Sequence, residues 1–210
     1  MKVLNLYAGV GGNRKLWPDT LPNGEKVEVT AVEINPQIAE CYKRHFPNDT
    51  VIIGDAHQYL IEHFKEFNFI WSSPPCQTHS LLNFTNNGLR KGRACIRYPD
   101  LNTLYGEIIL VRSFYRGNYV IENVRPYYRP LISPDFILDR HFFWSNKMVL
   151  ENSFKRSIKK ALNYLSIAEL EELHGFELPA KMDNKRQILR NCVLPELGKY
   201  IFQNVVGVEK

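Results

Sequence analysis

Phe69-Ile70-Trp71-Ser72-Ser73-Pro74-Pro75-Cys76-Gln77 decides how this chain is read. Residues 67–71 form a short apolar run of the kind that makes a buried strand. Two prolines then stop the strand and stiffen the chain as it leaves. A cysteine directly after such a turn projects from the carboxyl end of a strand, where open α/β sheets bind their ligands. On residue type alone, a lone intracellular cysteine reads as a small buried hydrophobe. The Pro-Pro-Cys-Gln context moves the reading toward chemistry, but only together with the segments around it.

Those segments alternate between strand and helix patterns. Val3-Leu4-Asn5-Leu6-Tyr7 is an apolar run that ends in Ala8-Gly9-Val10-Gly11-Gly12, which reads as a strand, a glycine turn and a short helix starting near Asn13. Residues 27–33 alternate and end on Glu33. Asn35-Pro36 then caps a helix with proline at its first position, and Ile38, Cys41, Tyr42 and Phe46 make its apolar face. Val51-Ile52-Ile53 is a third strand, ending in Gly54-Asp55. Residues 77–99 are polar and basic and read as a long loop over the site. Residues 101–115 are helical by pattern, and Tyr119-Val120-Ile121 is a fifth strand ending in Glu122-Asn123-Val124. His141-Phe142-Phe143-Trp144 is a later strand. Ser166-Ile167-Ala168-Glu169 is a capping box whose helix stops at Gly175. Residues 185–203 mix a loop with a terminal helix. This alternation predicts an α/β fold with a doubly wound, mostly parallel sheet, in a single domain over residues 1–210.

Bulk properties fit that picture. At 210 residues, 44% hydrophobic and 23% charged, the chain has the profile of one globular domain. No apolar run is long enough to cross a bilayer, so no membrane association is expected. Met1-Lys2 leads straight into a strand, so no signal peptide is expected either. The four cysteines, at 41, 76, 95 and 192, lack paired metal spacing and predict no metal site. They suit free thiols in a reducing cytoplasm. A net charge of +5 suits a polyanionic partner and is weak evidence alone.

The candidate site lies at the strand ends. The glycine turn lacks the full dinucleotide fingerprint and does not specify NAD; alone it is equally a plain strand-to-helix turn. Glu33, at the next strand end, is placed to bind ribose hydroxyls, and Asp55 to take an exocyclic amine. Either acid alone is more simply a solvated strand end. Glycines, Glu and Asp on three successive strand ends make an adenosine-type site far more convincingly. Glu122 adds an acid beside the cysteine strand, able to protonate a ring nitrogen while a thiolate attacks. The plainer reading is a capping carboxylate with Asn123 in a turn.

Taken in order, these residues resemble the cytosine-C5 DNA methyltransferases. Asn5-Leu6-Tyr7-Ala8-Gly9-Val10-Gly11-Gly12 is similar to that family's cofactor motif, departing where Asp-Leu-Phe is usual. Val32-Glu33-Ile34-Asn35 and Gly54-Asp55 match the next two cofactor motifs, Pro74-Pro75-Cys76-Gln77 the nucleophile motif, and Glu122-Asn123-Val124 the acid motif. Residues 165–179, around Leu173-His174-Gly175-Phe176, resemble the segment before the last motif. Arg186-Gln187-Ile188-Leu189-Arg190-Asn191-Cys192-Val193-Leu194-Pro195 resembles that last motif, with Arg190 and Cys192 as departures.

The resemblance implies a Rossmann-like sheet of the S-adenosylmethionine-dependent type. It implies S-adenosyl-L-methionine as cofactor, held by Tyr7, Ala8, Gly9, Val10, Gly11, Glu33, Ile34, Asp55, Ala56, Pro75, Asn191 and Val193. Cys76 is the implied nucleophile, with Glu122 at N3 of the cytosine and Asn123 beside it. Arg140 is the candidate for the base contact, since the arginine strand here carries one arginine rather than two. Gln77, His79, Arg90, Lys91, Arg93, Lys155 and Lys159 are the candidate DNA contacts, with a plain solvated loop the alternative for the 90–93 cluster.

The family's long recognition region is reduced here to residues 147–164, which are lysine-rich and expected to be helical. Such a segment can grip a phosphate backbone but offers little surface for reading base edges. Double-stranded DNA is the expected partner, with short or relaxed sequence specificity or with recognition supplied by another chain or by self-association. RNA, a free cytosine nucleotide and a non-catalytic accessory role stay open as alternatives. Compact size without regulatory domains points to a prokaryotic or viral source.

Overall fold

The computed structural model describes residues 1–80, 99–150 and 162–207. Seven strands form one sheet in the order β3-β2-β1-β4-β5-β7-β6. β1 (Lys2–Leu6), β2 (Glu28–Glu33), β3 (Thr50–Ile53), β4 (Phe69–Ser72) and β5 (Asn118–Val124) are parallel. β6 (Phe136–Leu138) and β7 (His141–Ser145) form a hairpin that adds to β5 antiparallel.

Among the described residues the α-helices are α1 (Pro36–His45), α2 (Ala56–His63), α3 (Leu101–Phe114), α4 (Ile167–His174), α5 (Lys185–Asn191) and α6 (Pro195–Val206). The central strands are apolar on both faces because both are covered, as parallel sheets require. Successive side chains point to opposite faces. Val3, Phe69, Trp71 and Val120 pack with Trp17 and with Leu197, Ile201 and Phe202 of α6. Leu4, Leu6, Ile70 and Ile121 pack with Leu60 of α2 and with Leu104, Ile108 and Val111 of α3. A third cluster joins Val10, Cys41, Tyr42 and Phe46 to Leu170, Phe176 and Leu189 of the C-terminal segment.

Local signals act as the sequence predicts at the helix ends. The Asn35 side chain accepts hydrogen bonds from the Gln37 and Ile38 amides with Pro36 in the first turn, and the Ser166/Glu169 capping box is complete, its helix closed by Gly175 at φ 64°.

Three expectations need correction, and one alternative reading is excluded. No helix starts near Asn13: after the glycine turn the chain runs through turns, and Asn13 and Arg14 are buried instead. Their side chains explain this. Asn13 donates to the Asn5 side chain (2.7 Å), and the Arg14 guanidinium binds both oxygens of buried Asp49 (3.1 and 3.2 Å), which also accepts from the Tyr42 hydroxyl (2.8 Å). Those long-range bonds hold the backbone where a helix would need local ones. Asn123 lies within β5, not in a turn. Residues 185–203 contain two helices, α5 and α6, separated by Cys192-Val193-Leu194. In the 147–164 stretch, residues 147–150 carry no helix and 162–164 form a single 3-10 turn; Lys155 and Lys159 lie outside the described residues. Arg90, Lys91 and Arg93 do as well.

Candidate active site

The sheet reverses its winding between β1 and β4, and the crevice beyond their carboxyl ends is where such folds bind ligands. A cavity of about 700 Å³ opens there. One wall is Tyr7, Ala8, Gly9 and Val10 after β1, with Glu33 and Ile34 after β2. Pro74, Pro75, Cys76 and Gln77 after β4 and Glu122 and Asn123 of β5 face it, and Asn191 and Val193 close it from the C-terminal segment. The sequence thus brings both halves of its predicted site to one space.

On the first wall, Gly9 takes φ 55° with nothing within 4 Å of where a Cβ would stand. Its amide donates to Glu33 Oε2 (3.0 Å), and the Asn35 amide donates to Glu33 Oε1 (2.9 Å). Two backbone donors hold this carboxylate, 8% exposed, with oxygen lone pairs still available to a ligand's hydroxyls. Ile34 beside it is 68% exposed, an apolar face turned outward. A fixed acid, an uncovered apolar side chain and a bare backbone turn suit a ribose, an aromatic base and a polar tail, so the residues fit S-adenosylmethionine.

Gly11, Asp55 and Ala56 do not reach this wall. A side chain on Gly11 (φ 90°) would collide with the rings of Phe46 and Tyr42, so this glycine serves packing. Asp55 is exposed and caps α2, accepting from the Gln58 amide (3.0 Å), while Ala56, the first residue of that helix, is buried.

On the second wall, the Cys76 turn is held from both sides. The Asn123 side-chain amide donates to the Pro74 carbonyl (3.0 Å), and the His79 and Ser80 amides both donate to the Cys76 carbonyl (3.0 Å each). Asn123 Oδ1 accepts from the Val124 amide (3.0 Å), so this side chain positions the turn from the cavity wall. His79 is corrected too. It is 1% exposed, its Nδ1 lies 2.6 Å from the Tyr128 hydroxyl, and burial holds its pKa below the ordinary value. It is a neutral packing residue, buried away from any DNA contact.

Cys76 and Glu122 carry complementary electrostatics. Burial pushes Glu122 up to about 7, opposed by a hydrogen bond from Ser73 and the charge of Arg140. Burial, and then the Glu122 charge, push the Cys76 thiol up to about 11, while Arg140 pulls it down. Arg140, at the turn between β6 and β7, therefore acts on both groups and lines the same cavity. Near neutral pH the acid is half protonated and the thiol is protonated.

Several lining residues were not anticipated. Arg125 follows Glu122-Asn123-Val124 into the cavity, exposed. His141 Nε2 lies 3.7 Å from Glu122 Oε1, because the antiparallel register sets His141 opposite Val124 and thus diagonal to Glu122 on one face. Adjacency to Arg140 was the one sequence signal for it. Met182, Asn184 and Gln187, at and before α5, complete the C-terminal wall.

A doubly wound sheet with this crevice defines the fold of the S-adenosylmethionine-dependent methyltransferases, and its first strand ends fit that cofactor. The chain belongs to the C-5 cytosine-specific DNA methylase family, whose model matches residues 1–130. Over 89 residues, 41% of this chain, it is 36% identical to a tRNA (cytosine(38)-C(5))-methyltransferase of Spodoptera frugiperda, spanning 25% of that enzyme's length. The solved structure of the Entamoeba histolytica methyltransferase EhMeth superposes with a TM-score of 0.61 at 12% identity, covering 100% of this chain and 99% of the other. A DNMT2 structure from Spodoptera frugiperda is 27% identical over 59% of this chain and 35% of its own, with a TM-score of 0.38.

Proposed function

We propose that this chain transfers a methyl group to C5 of cytosine in DNA, through a covalent adduct on Cys76. The observation that carries the proposal is the convergence of Cys76, Glu122 and the Gly9/Glu33 turn on one cavity. S-adenosylmethionine, when bound, supplies the methyl group as an electrophile. Cys76 gives its proton to solvent and, as the thiolate, its sulfur adds to C6 of the cytosine. Glu122 holds a proton at N3, so the ring accepts the electron pair as the C–S bond forms. C5 then becomes nucleophilic toward the methyl group. Solvent then takes the C5 proton, the electron pair left forms the C5–C6 double bond as the C–S bond breaks, Cys76 leaves as the thiolate, and the N3 proton returns to Glu122, releasing 5-methylcytosine. Arg140 attracts both the thiolate and the carboxylate in this arrangement. Glu33 and the Gly9 turn hold the cofactor, with Tyr7, Ala8, Val10, Ile34, Pro75, Asn191 and Val193 around it.

A stacked cytosine offers no path for a thiol to C6, so the base must leave the helix to react. We assign duplex DNA as the substrate, residues 1–210 as a single catalytic domain, and residues 147–164 as what stands in place of a recognition domain. Target choice then rests on a few positions or on a second chain. One observation favours a second reading, cytosine in RNA: the similarity to an enzyme named for tRNA.

The test is transfer of labelled methyl to duplex DNA, single-stranded DNA, tRNA and dCMP, with Cys76→Ser as control. Label in duplex DNA as 5-methylcytosine, absent with the variant, is the expected result. Label confined to tRNA selects the second reading, and label that persists with Cys76→Ser overturns both.

A further inference from the structure

Glu107 lies in the interior of α3 and is 0% exposed, yet it belongs to neither wall of the cavity. Such a carboxylate is costly to bury unless donors surround it. Three do. The Tyr7 hydroxyl donates to Oε1 (2.7 Å), the Ser72 hydroxyl donates to Oε2 (2.6 Å), and His57 Nδ1 lies 3.1 Å from Oε1. Burial and the Glu107 charge both hold the Tyr7 phenol far above its ordinary pKa, so it remains a donor.

The positions of these donors matter more than their number. Tyr7 is the first residue of the wall that continues through Ala8-Gly9-Val10 and sits at φ 53°, a conformation a tyrosine adopts only when its surroundings impose it. Ser72 ends β4, directly before Ser73-Pro74-Pro75-Cys76. His57 is in the first turn of α2, after β3. One buried carboxylate therefore ties together the exits of the strands that carry the glycine turn and the cysteine. Tyr7 is also a place where the chain departs from the Asp-Leu-Phe pattern of its family, and the added hydroxyl is the group that reaches Glu107.

We propose that Glu107 is a positioning residue with two separable outputs: through Tyr7 it sets the shape of the cofactor turn, and through Ser72 it sets the approach of the Cys76 loop. The inference rests on the cofactor and nucleophile assignments above. Tyr7→Phe removes one output and keeps the ring, and Ser72→Ala removes the other.

The experiment measures S-adenosylmethionine affinity by calorimetry. In parallel it measures the iodoacetamide alkylation rate of Cys76 by peptide mass spectrometry, so neither readout needs a nucleic acid substrate. A lost hydrogen bond to a charged group is expected to cost about tenfold. Tyr7→Phe should weaken cofactor binding about tenfold at an unchanged alkylation rate. Ser72→Ala should change the alkylation rate at unchanged affinity. Glu107→Ala should move both, and adding Tyr7→Phe to it should weaken binding no further, because the hydroxyl then has nothing to hold. Glu107→Gln, which keeps an acceptor oxygen for Tyr7, should recover most of the affinity. Affinity within twofold of wild type in Tyr7→Phe, or both readouts moving together in the two single variants, would overturn the proposal. A wild-type chain that binds no S-adenosylmethionine sinks the cofactor assignment, and the inference with it.

Discussion

Replacing Glu122 by glutamine should stabilise this protein while abolishing its chemistry, and the gain should grow with pH. Burial raises the Glu122 carboxyl from 4.5 to about 7 against the opposing Ser73 bond and Arg140 charge. Such a rise corresponds to about 3 kcal/mol of preference for the neutral form. The folded-state value lies above the unfolded one. The group's contribution to stability is therefore complete below about pH 4.5 and is lost as pH rises through about 7. Between pH 5.5 and 8.5 the wild type loses about 2 kcal/mol from this group, and a glutamine loses none. For a domain of this size each kcal/mol moves Tm by about 2–4 °C. The difference in Tm between Glu122→Gln and wild type should thus widen by about 4–8 °C from pH 5.5 to 8.5. Thermal melts followed by circular dichroism at matched ionic strength measure it, alongside methyl transfer, which the variant should lack. A Tm difference that is constant across this range would refute the reasoning, since it would mean that Glu122 titrates near its ordinary value.

The remaining predictions concern the same cavity. Glu122→Gln should also speed alkylation of Cys76 at pH 8, because the carboxylate charge is the second cause raising the thiol and its removal lowers that pKa; a slower rate would contradict the coupling. With thiolate and protonated acid both required, kcat/KM should rise with unit slope below about pH 7 and level off above it, as loss of the Glu122 proton offsets ionisation of Cys76. A profile that keeps climbing through pH 9 would remove Glu122 as the acid. Gly12→Ala should destabilise the fold by about 2 kcal/mol or more, because its Cβ would meet the Cys192 sulfur and the Val193 backbone carbonyl, which cannot yield as a flexible side chain does; a Tm within 1 °C of wild type would be the contrary result. Asn123→Ala should lower the rate of methyl transfer while leaving S-adenosylmethionine affinity unchanged, since it releases the Pro74 carbonyl and the Val124 amide, both away from the Gly9/Glu33 wall.

What was legible in the sequence is what local chemistry writes. Apolar runs gave β1, β3, β4 and β5, alternation gave β2, the proline pair gave the end of β4, and Asn35 and Ser166 gave helix starts because a cap satisfies its own helix's first amides. The order of strand-end residues then located Gly9, Glu33, Cys76 and Glu122 in one crevice, since a parallel sheet puts all its carboxyl ends on one side. Failures came where a residue's partner is distant. Helix α2 went unread although Asp55 caps it, because its buried stripe is only Ala56 and Leu60. Strand β6 is three residues long and gains its place from pairing with β7. Asn13 and Arg14 look like the start of a helix until Asn5 and Asp49, 8 and 35 residues away, claim their side chains.

The same limit explains the errors at the site and shows where its control lies. His79 looks like a DNA contact three positions after Cys76, yet its partner is Tyr128, 49 positions on, and that contact removes it from the cavity. His141 looks like a strand residue, yet the β5–β7 register aims it at Glu122. Glu107 is a lone acid in an apolar helix pattern until Tyr7 and Ser72, 100 and 35 positions away, are seen to meet on it. The groups proposed to react sit on strand ends, where sequence order suffices to find them. The groups that aim them sit on other elements and are found through register and packing. Substitutions in this second set should therefore change affinity and rate without touching any motif.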